Sequence, residues 1–185
     1  MTDKELKKSR RTLLLMVAAF AVPIVLAKLA LEQHWFNYGV TNQGELANNL
    51  SIEDFGLTRD SLTQGWLILY AVPNLCNEQC NNTLKGVNNS HIALGKDLSR
   101  ATPVALVNSS NQGQEIQANS SRYWLVHQKS NQFNESLIAN KVWVADPMGN
   151  IVLSFNPPEN SDDMPVFGKA ILADLKKLLK YSKMG

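Results

Sequence analysis

Cysteine is scarce in this chain: Cys76 and Cys80 are the only two in 185 residues. No phosphate-binding glycine loop and no His-Glu-x-x-His occurs, which removes the P-loop nucleotide and zincin hydrolase classes. No basic stripe with interleaved aromatics occurs either, and the net charge is only +2, so no nucleic-acid partner is expected. Nothing repeats along the chain. Long apolar runs are few as well: one segment is long enough to cross a bilayer, and no second one returns.

That segment runs from Leu13 to Leu31, with Lys28 as its only charge. At about 1.5 Å per residue it spans roughly 28 Å, the thickness of a hydrocarbon core. Lys28 can snorkel to the interface, and a spanning helix tolerates Pro23. Trp35 and Tyr38 suit the interfacial aromatic belt. The run exceeds a signal-peptide core and no clean Ala-x-Ala site follows, so an uncleaved anchor is predicted. Lys4, Lys7, Lys8, Arg10 and Arg11 precede it, and the positive-inside rule places them in the cytoplasm. The expected division is a basic cytoplasmic tail over 1–12, a transmembrane helix over 13–31, a connector over 32–63 and a domain over 64–185 on the far side, in a bacterial periplasm or a mitochondrial intermembrane space. The connector is punctuated by Asn42, Gly44, Asn48, Asn49, Gly56 and Asp60.

In the outer part, Trp66–Val72 reads as a buried strand closed by Pro73-Asn74. Leu84, Val87, His91, Leu94 and Leu98 recur at helical spacing and predict a helix from about Cys76 to Leu98. Pro103–Val107 and Tyr123–Val126 predict further strands, with a polar stretch between them. Lys141–Ala145, the turn Asp146-Pro147-Met148-Gly149-Asn150, and Ile151–Phe155 form a β-hairpin. Residues 157–165 read as a loop, with Asp162-Asp163 a solvated acidic pair. From Val166, the spacing of Phe167, Ile171, Leu172, Leu175, Leu178 and Leu179 predicts a C-terminal amphipathic helix whose lysines make a solvated face. The order β–α–β–(β)–β–β–α is that of a thioredoxin-like α/β domain. Triplets such as Asn108-Ser109-Ser110 and Asn134-Glu135-Ser136 read as chance occurrences in an Asn-rich sequence.

Cys76-Asn77-Glu78-Gln79-Cys80 falls between the first strand and the following helix. A thiol at a helix N-terminus meets unpaired N–H groups and the positive end of the dipole, which favours the thiolate. One helical turn puts both sulfurs on one face, where they can close a disulfide or offer Cu(I) a two-thiolate half-site. A plain structural staple is the competing reading, but so short a loop gains little from closure.

Trp66–Tyr70, Cys76-x-x-x-Cys80, Ala93-Leu94-Gly95-Lys96-Asp97 and Arg100 together resemble the Sco family. The block Val144–Leu153 and the tail from Leu172 to Gly185 are similar to a divergent proteobacterial relative, a small transmembrane protein associated with cytochrome oxidase. The resemblance implies a membrane-anchored α/β protein with a thioredoxin-like (Sco-like) domain. It implies a part in cytochrome c oxidase assembly, with oxidase subunits or other assembly factors as partners beside the lipid bilayer of a bacterial inner membrane. It casts Cys76 and Cys80 as the catalytic thiols and as ligands of Cu(I). It also places a third ligand, a histidine, after the hairpin aspartate, where this chain has Pro147. His91 and His127 are available but read as core or surface residues, and Met148 as an exposed turn residue. A docking subunit with a degenerate thioredoxin fold is the alternative. A peroxiredoxin-like enzyme would need a threonine near the reactive cysteine, and Pro73-Asn74-Leu75 lacks it.

Overall fold

The computed structural model describes residues 3–32, 42–47, 49–58, 62, 65–120, 123–129 and 140–182. Trp35, Tyr38, Asn48, Asp60 and the Asn134 triplet lie outside these residues. The chain divides into two compact units, 1–41 and 42–185.

The first unit is helix α1 (Asp3–Glu32), which passes through Pro23. From Arg10 to Leu29 it is long and apolar enough to cross a membrane, and every side chain in that stretch is exposed within the protein. A run of Leu, Val, Ile and Phe exposed over this length fits a membrane anchor.

Among the described residues the second unit forms a six-stranded mixed sheet. Its strands are β1 (Glu45–Leu46), β2 (Trp66–Ala71), β3 (Ala101–Val107), β4 (Leu125–Gln128), β5 (Val142–Ala145) and β6 (Ile151–Phe155). The spatial order is β1-β6-β5-β2-β3-β4. β2, β3 and β4 run parallel, whereas β5 runs antiparallel to β2, and β6 antiparallel to β5. β2 is buried along its whole length because it is central and covered on both faces, which explains its unbroken apolar sequence. Helices α2 (Glu78–Ile92) and α3 (Ser110–Ser120) make the crossovers between the parallel strands, and α4 (Met164–Tyr181) closes the chain.

Each face of the sheet has its own core. On one, Leu84 and Val87 of α2, Ile116 of α3 and Phe167, Ile171, Leu175 and Leu179 of α4 pack on Ile68, Tyr70, Ala105 and Val144. Fully burying an aliphatic side chain of this size contributes roughly 2 kcal/mol. On the other, Ile52, Phe55 and Leu57 cover Leu67, Leu69, Leu106 and Trp143. Ile52–Phe55 is a 3-10 turn closed at its start by a Ser51/Asp54 capping box. Residues 42–47 and 49–57, expected as connector, are therefore built into the folded unit. Its first residues are pinned by the buried Asp174 of α4, whose Oδ2 accepts the Gln43 and Gly44 N–H groups at 2.7 and 2.8 Å.

Several boundaries differ from the sequence reading. α2 starts at Glu78 and ends at Ile92; Gly95, at φ 62°, turns the chain into a 3-10 segment over Gly95–Arg100. α3 forms in what reads in sequence as a polar stretch, because among its described side chains only Gly113 and Ile116 are buried, too few to show a period. Ser109-x-x-Gln112 is nonetheless a helix-start signature, and the Gln112 N–H donates to Ser109 Oγ. α4 begins two residues early because proline is compatible with the first turn of a helix.

The strand directions give the sheet two ends. One carries the exits of β2 and β3, the approach to β5 and the exit of β6. The other carries Gly65, Arg100 and the β5–β6 turn.

Candidate functional site: the cysteine pair at the exit of the central strand

Cys76 and Cys80 form a disulfide, with Cα atoms 5.2 Å apart. Asn77 caps α2 by accepting the Cys80 N–H on Oδ1 at 2.9 Å. Cys76 therefore precedes the helix cap, whereas Cys80 lies inside the first turn. The sequence reading placed Cys76 within the helix; Asn77, a strong cap former, moves the boundary. The two sulfurs belong to unequal residues: Cys80 is 2% exposed and packed among Leu84 and Tyr70, while Cys76 is half-buried at the edge of that core. Leu75, just before it, is 88% exposed.

The loop is stitched to its surroundings on both sides. Lys129 Nζ donates to Val72 O at 2.8 Å, Gln112 Nε2 donates to Pro73 O at 2.6 Å, and the Asn108 amide donates to Asn74 Oδ1. On the other flank, Gln79 Nε2 donates to both Pro157 O and Pro158 O at 3.2 Å. Beside Cys80 lies a cavity of about 140 Å³ lined by Tyr70, Pro73, Leu75, Asn77, Asn140 and Pro157, among others. Burial pushes the Tyr70 hydroxyl up to about 12, opposed by its hydrogen bond with Thr83.

The other residues considered from sequence lie elsewhere. β5 pairs Val142 with Tyr70 and Ala145 with Leu67, so the turn with Asp146, Pro147 and Met148 is at the opposite end of β2 from the cysteines. A ligand at position 147 would be out of reach of the pair. Asp146 instead organises the turn, its Oδ1 accepting the Met148 and Asn150 N–H groups. His91 is also at the far end: it is 2% exposed, and Nε2 faces Leu98 O at 3.0 Å and Ala101 O at 2.7 Å. Two carbonyl acceptors on one nitrogen place the ring proton on Nε2. His127 alternates with Val126 on β4 and shares the face of Leu125, which packs on the core opposite α2. Burial lowers its pKa. Among the described residues no three His, Cys, Asp or Glu side chains cluster as a metal site.

The sheet brings the residues at the start of β5, such as Asn140, to the cysteines. The stretch before them, 130–139, lies outside the described residues; in sequence it contains no His, Cys or Met. Once reduced, two cysteine sulfurs at this spacing could offer a soft metal ion such as Cu(I) two ligands.

Solved structures share this fold. Yeast Sco1 with copper bound is 13% identical, with a TM-score of 0.53 over 68% of this chain and 85% of that one. A SCO1/SenC family lipoprotein from Bacillus anthracis is 10% identical, with a TM-score of 0.51 over 78% and 99%. Arabidopsis thaliana ScoI with copper bound is 14% identical, with a TM-score of 0.50 over 72% and 98%. At such identities the likeness is one of fold. No curated protein sequence matches the chain. The family described as transmembrane-like, thioredoxin-like, C-terminal domain matches residues 66–182, and the chain belongs to it.

Proposed function

We propose that this protein is a membrane-anchored, Sco-like accessory factor in cytochrome c oxidase assembly, acting by thiol–disulfide exchange through Cys76 and Cys80. In this reading α1 holds the protein in a bacterial inner membrane. The lysines and arginines of residues 1–12 stay in the cytoplasm, and the thioredoxin-like domain works in the periplasm. The observation that carries the chemistry is the unequal burial of two disulfide-linked cysteines at a strand–helix junction.

In the reduced protein the Cys76 thiolate, the accessible one, attacks a sulfur of a partner disulfide. That S–S bond breaks, one partner thiolate leaves and takes up a proton, and a mixed disulfide remains. Cys80, one helical turn away, attacks Cys76 Sγ; the second partner thiolate leaves, and the Cys76–Cys80 disulfide closes. Two electrons pass to the partner, and an external dithiol must restore the reduced pair. Cu(I), as cargo, would have the same two sulfurs as ligands. Pro147 in place of the implied histidine, in a turn at the opposite end of β2 from the cysteines, makes exchange the better-supported chemistry.

The test is replacement of Cys76 and Cys80 by serine in cells that make the oxidase. Loss of mature oxidase, with the anchored protein present at normal level, is the expected result. Normal oxidase with both serines would leave a docking role and remove the redox one.

A further inference from the structure

We infer that Gln112 is a positioning residue for the dithiol: through its side-chain amide, the first turn of α3 holds the Pro73 arm of the cysteine loop and so sets how readily the disulfide closes. The inference rests on the thiol-exchange reading for its purpose. The property concerned, the redox equilibrium of the pair, is measurable without any partner.

The amide of Gln112 is fixed at both ends. Its Oε1 accepts the Asn108 N–H at 3.1 Å, and its Nε2 donates to Pro73 O at 2.6 Å. The first bond orients the second, because an amide with its oxygen on a donor must turn its NH₂ the other way. Pro73 is an effective point to hold, since its φ is locked by its ring. The neighbours are tied to the same corner, Val72 O by Lys129 and the Asn74 side chain by Asn108. Between this clamp and the helix cap at Asn77 only Leu75 and Cys76 remain. The other sulfur rides on α2, whose first turn is capped and whose Leu84 and Val87 are in the core. With the disulfide reduced, the clamp therefore limits how far Cys76 can move from Cys80. Its Cα stays near the roughly 4.4–6.8 Å range that a disulfide requires. Confinement raises the effective concentration of one thiol against the other and favours the oxidised form. None of this is legible from Gln112 in sequence, where it is one polar residue among many.

The reaction to read is the pair exchanging with glutathione: the dithiol plus one glutathione disulfide gives the protein disulfide plus two glutathione thiols. The full chain in detergent is equilibrated across glutathione buffers, quenched by alkylation and scored for the oxidised fraction. Gln112→Leu removes both amide bonds. Gln112→Glu keeps an acceptor for the Asn108 N–H and loses the donor to Pro73. Both variants are expected to move the equilibrium toward the dithiol by about three- to tenfold, tenfold being about 30 mV. Gln114→Leu, an exposed change on the same helix, is expected to stay within about twofold of the parent. An equilibrium unchanged in both Gln112 variants, or shifted toward the disulfide, overturns the inference. Should Gln112→Leu not fold by circular dichroism, Gln112→Glu carries the test, with Asn108→Ala beside it. Oxidase maturation in cells carrying both serines answers a separate question, so failure of one reading leaves the other measurable.

Discussion

The two ends of the sheet use the same device for different purposes. At the far end, side chains reach backbone carbonyls from buried or half-buried positions. His91 ties α2 to Leu98 and Ala101, and Arg100 donates to Leu179 O at 3.1 Å and Ser182 O at 2.8 Å, closing the end of α4. At the cysteine end, Gln112, Lys129 and Gln79 reach the carbonyls of Pro73, Val72, Pro157 and Pro158 around a loop that leaves Leu75 and part of Cys76 open. The far end spends its polar contacts on closing helix and strand termini. The cysteine end ties down the Cys76–Cys80 loop without covering it. In the proposed exchange chemistry a held but open loop keeps one cysteine available, whereas a sealed terminus serves stability.

The contrast can be broken most sharply at the sulfurs. Cys76→Ser is expected to abolish exchange with a disulfide substrate, whereas Cys80→Ser should trap the mixed disulfide on Cys76. In the reduced parent, alkylation followed by mass spectrometry should label Cys76 about tenfold faster than Cys80 or more; equal rates would remove the asymmetry. The next largest effect belongs to the far end. His91→Ala leaves two carbonyls without their donor in a buried site and should cost about 2–4 kcal/mol in urea unfolding, while the dithiol equilibrium stays at the parent value.

Tyr70 comes third. Its pKa rises in the fold from 10.0 to about 12, so folding favours the neutral phenol. That contribution is complete below pH 10 and is lost as pH climbs toward 12, roughly 2–3 kcal/mol in all. Alkaline unfolding followed beside phenolate absorbance should show the loss, and Tyr70→Phe should lack it. Arg100→Met, smaller again, should cost about 1–2 kcal/mol and speed hydrogen exchange in the last turn of α4. Glu45 forms an exposed ion pair with Lys141 at 3.0 Å, and the hydrogen bond and charge of Lys141 lower its pKa. The pair favours folding above the ordinary carboxylate value and loses that as pH falls through the lowered one. Because water screens it, Glu45→Gln should leave stability at neutral pH unchanged within error.

Much of the fold was readable where one residue type faces one environment. The anchor, the central strand Trp66–Ala71, the β5–β6 hairpin and the C-terminal helix each show an uninterrupted run or a clean period. α3 and residues 42–47 and 49–57 did not, because among the described residues each buries only a few side chains. At the site, the cysteines and their place after the strand were visible. The position of the third ligand implied by resemblance was not, since β5 runs antiparallel to β2 and carries the Asp146 turn away from the cysteines.

By itself the sequence determined what each segment can bury: one apolar helix long enough to cross a bilayer, and strands and helices with apolar faces for the two cores that flank one sheet. It also set two sulfurs one helical turn apart. Only the tertiary structure decided which sulfur stays accessible, which distant amide steadies the loop, and which turn lies at which end of the sheet. Those outcomes depend on strand direction and on contacts between residues far apart in the chain, which local preference does not encode.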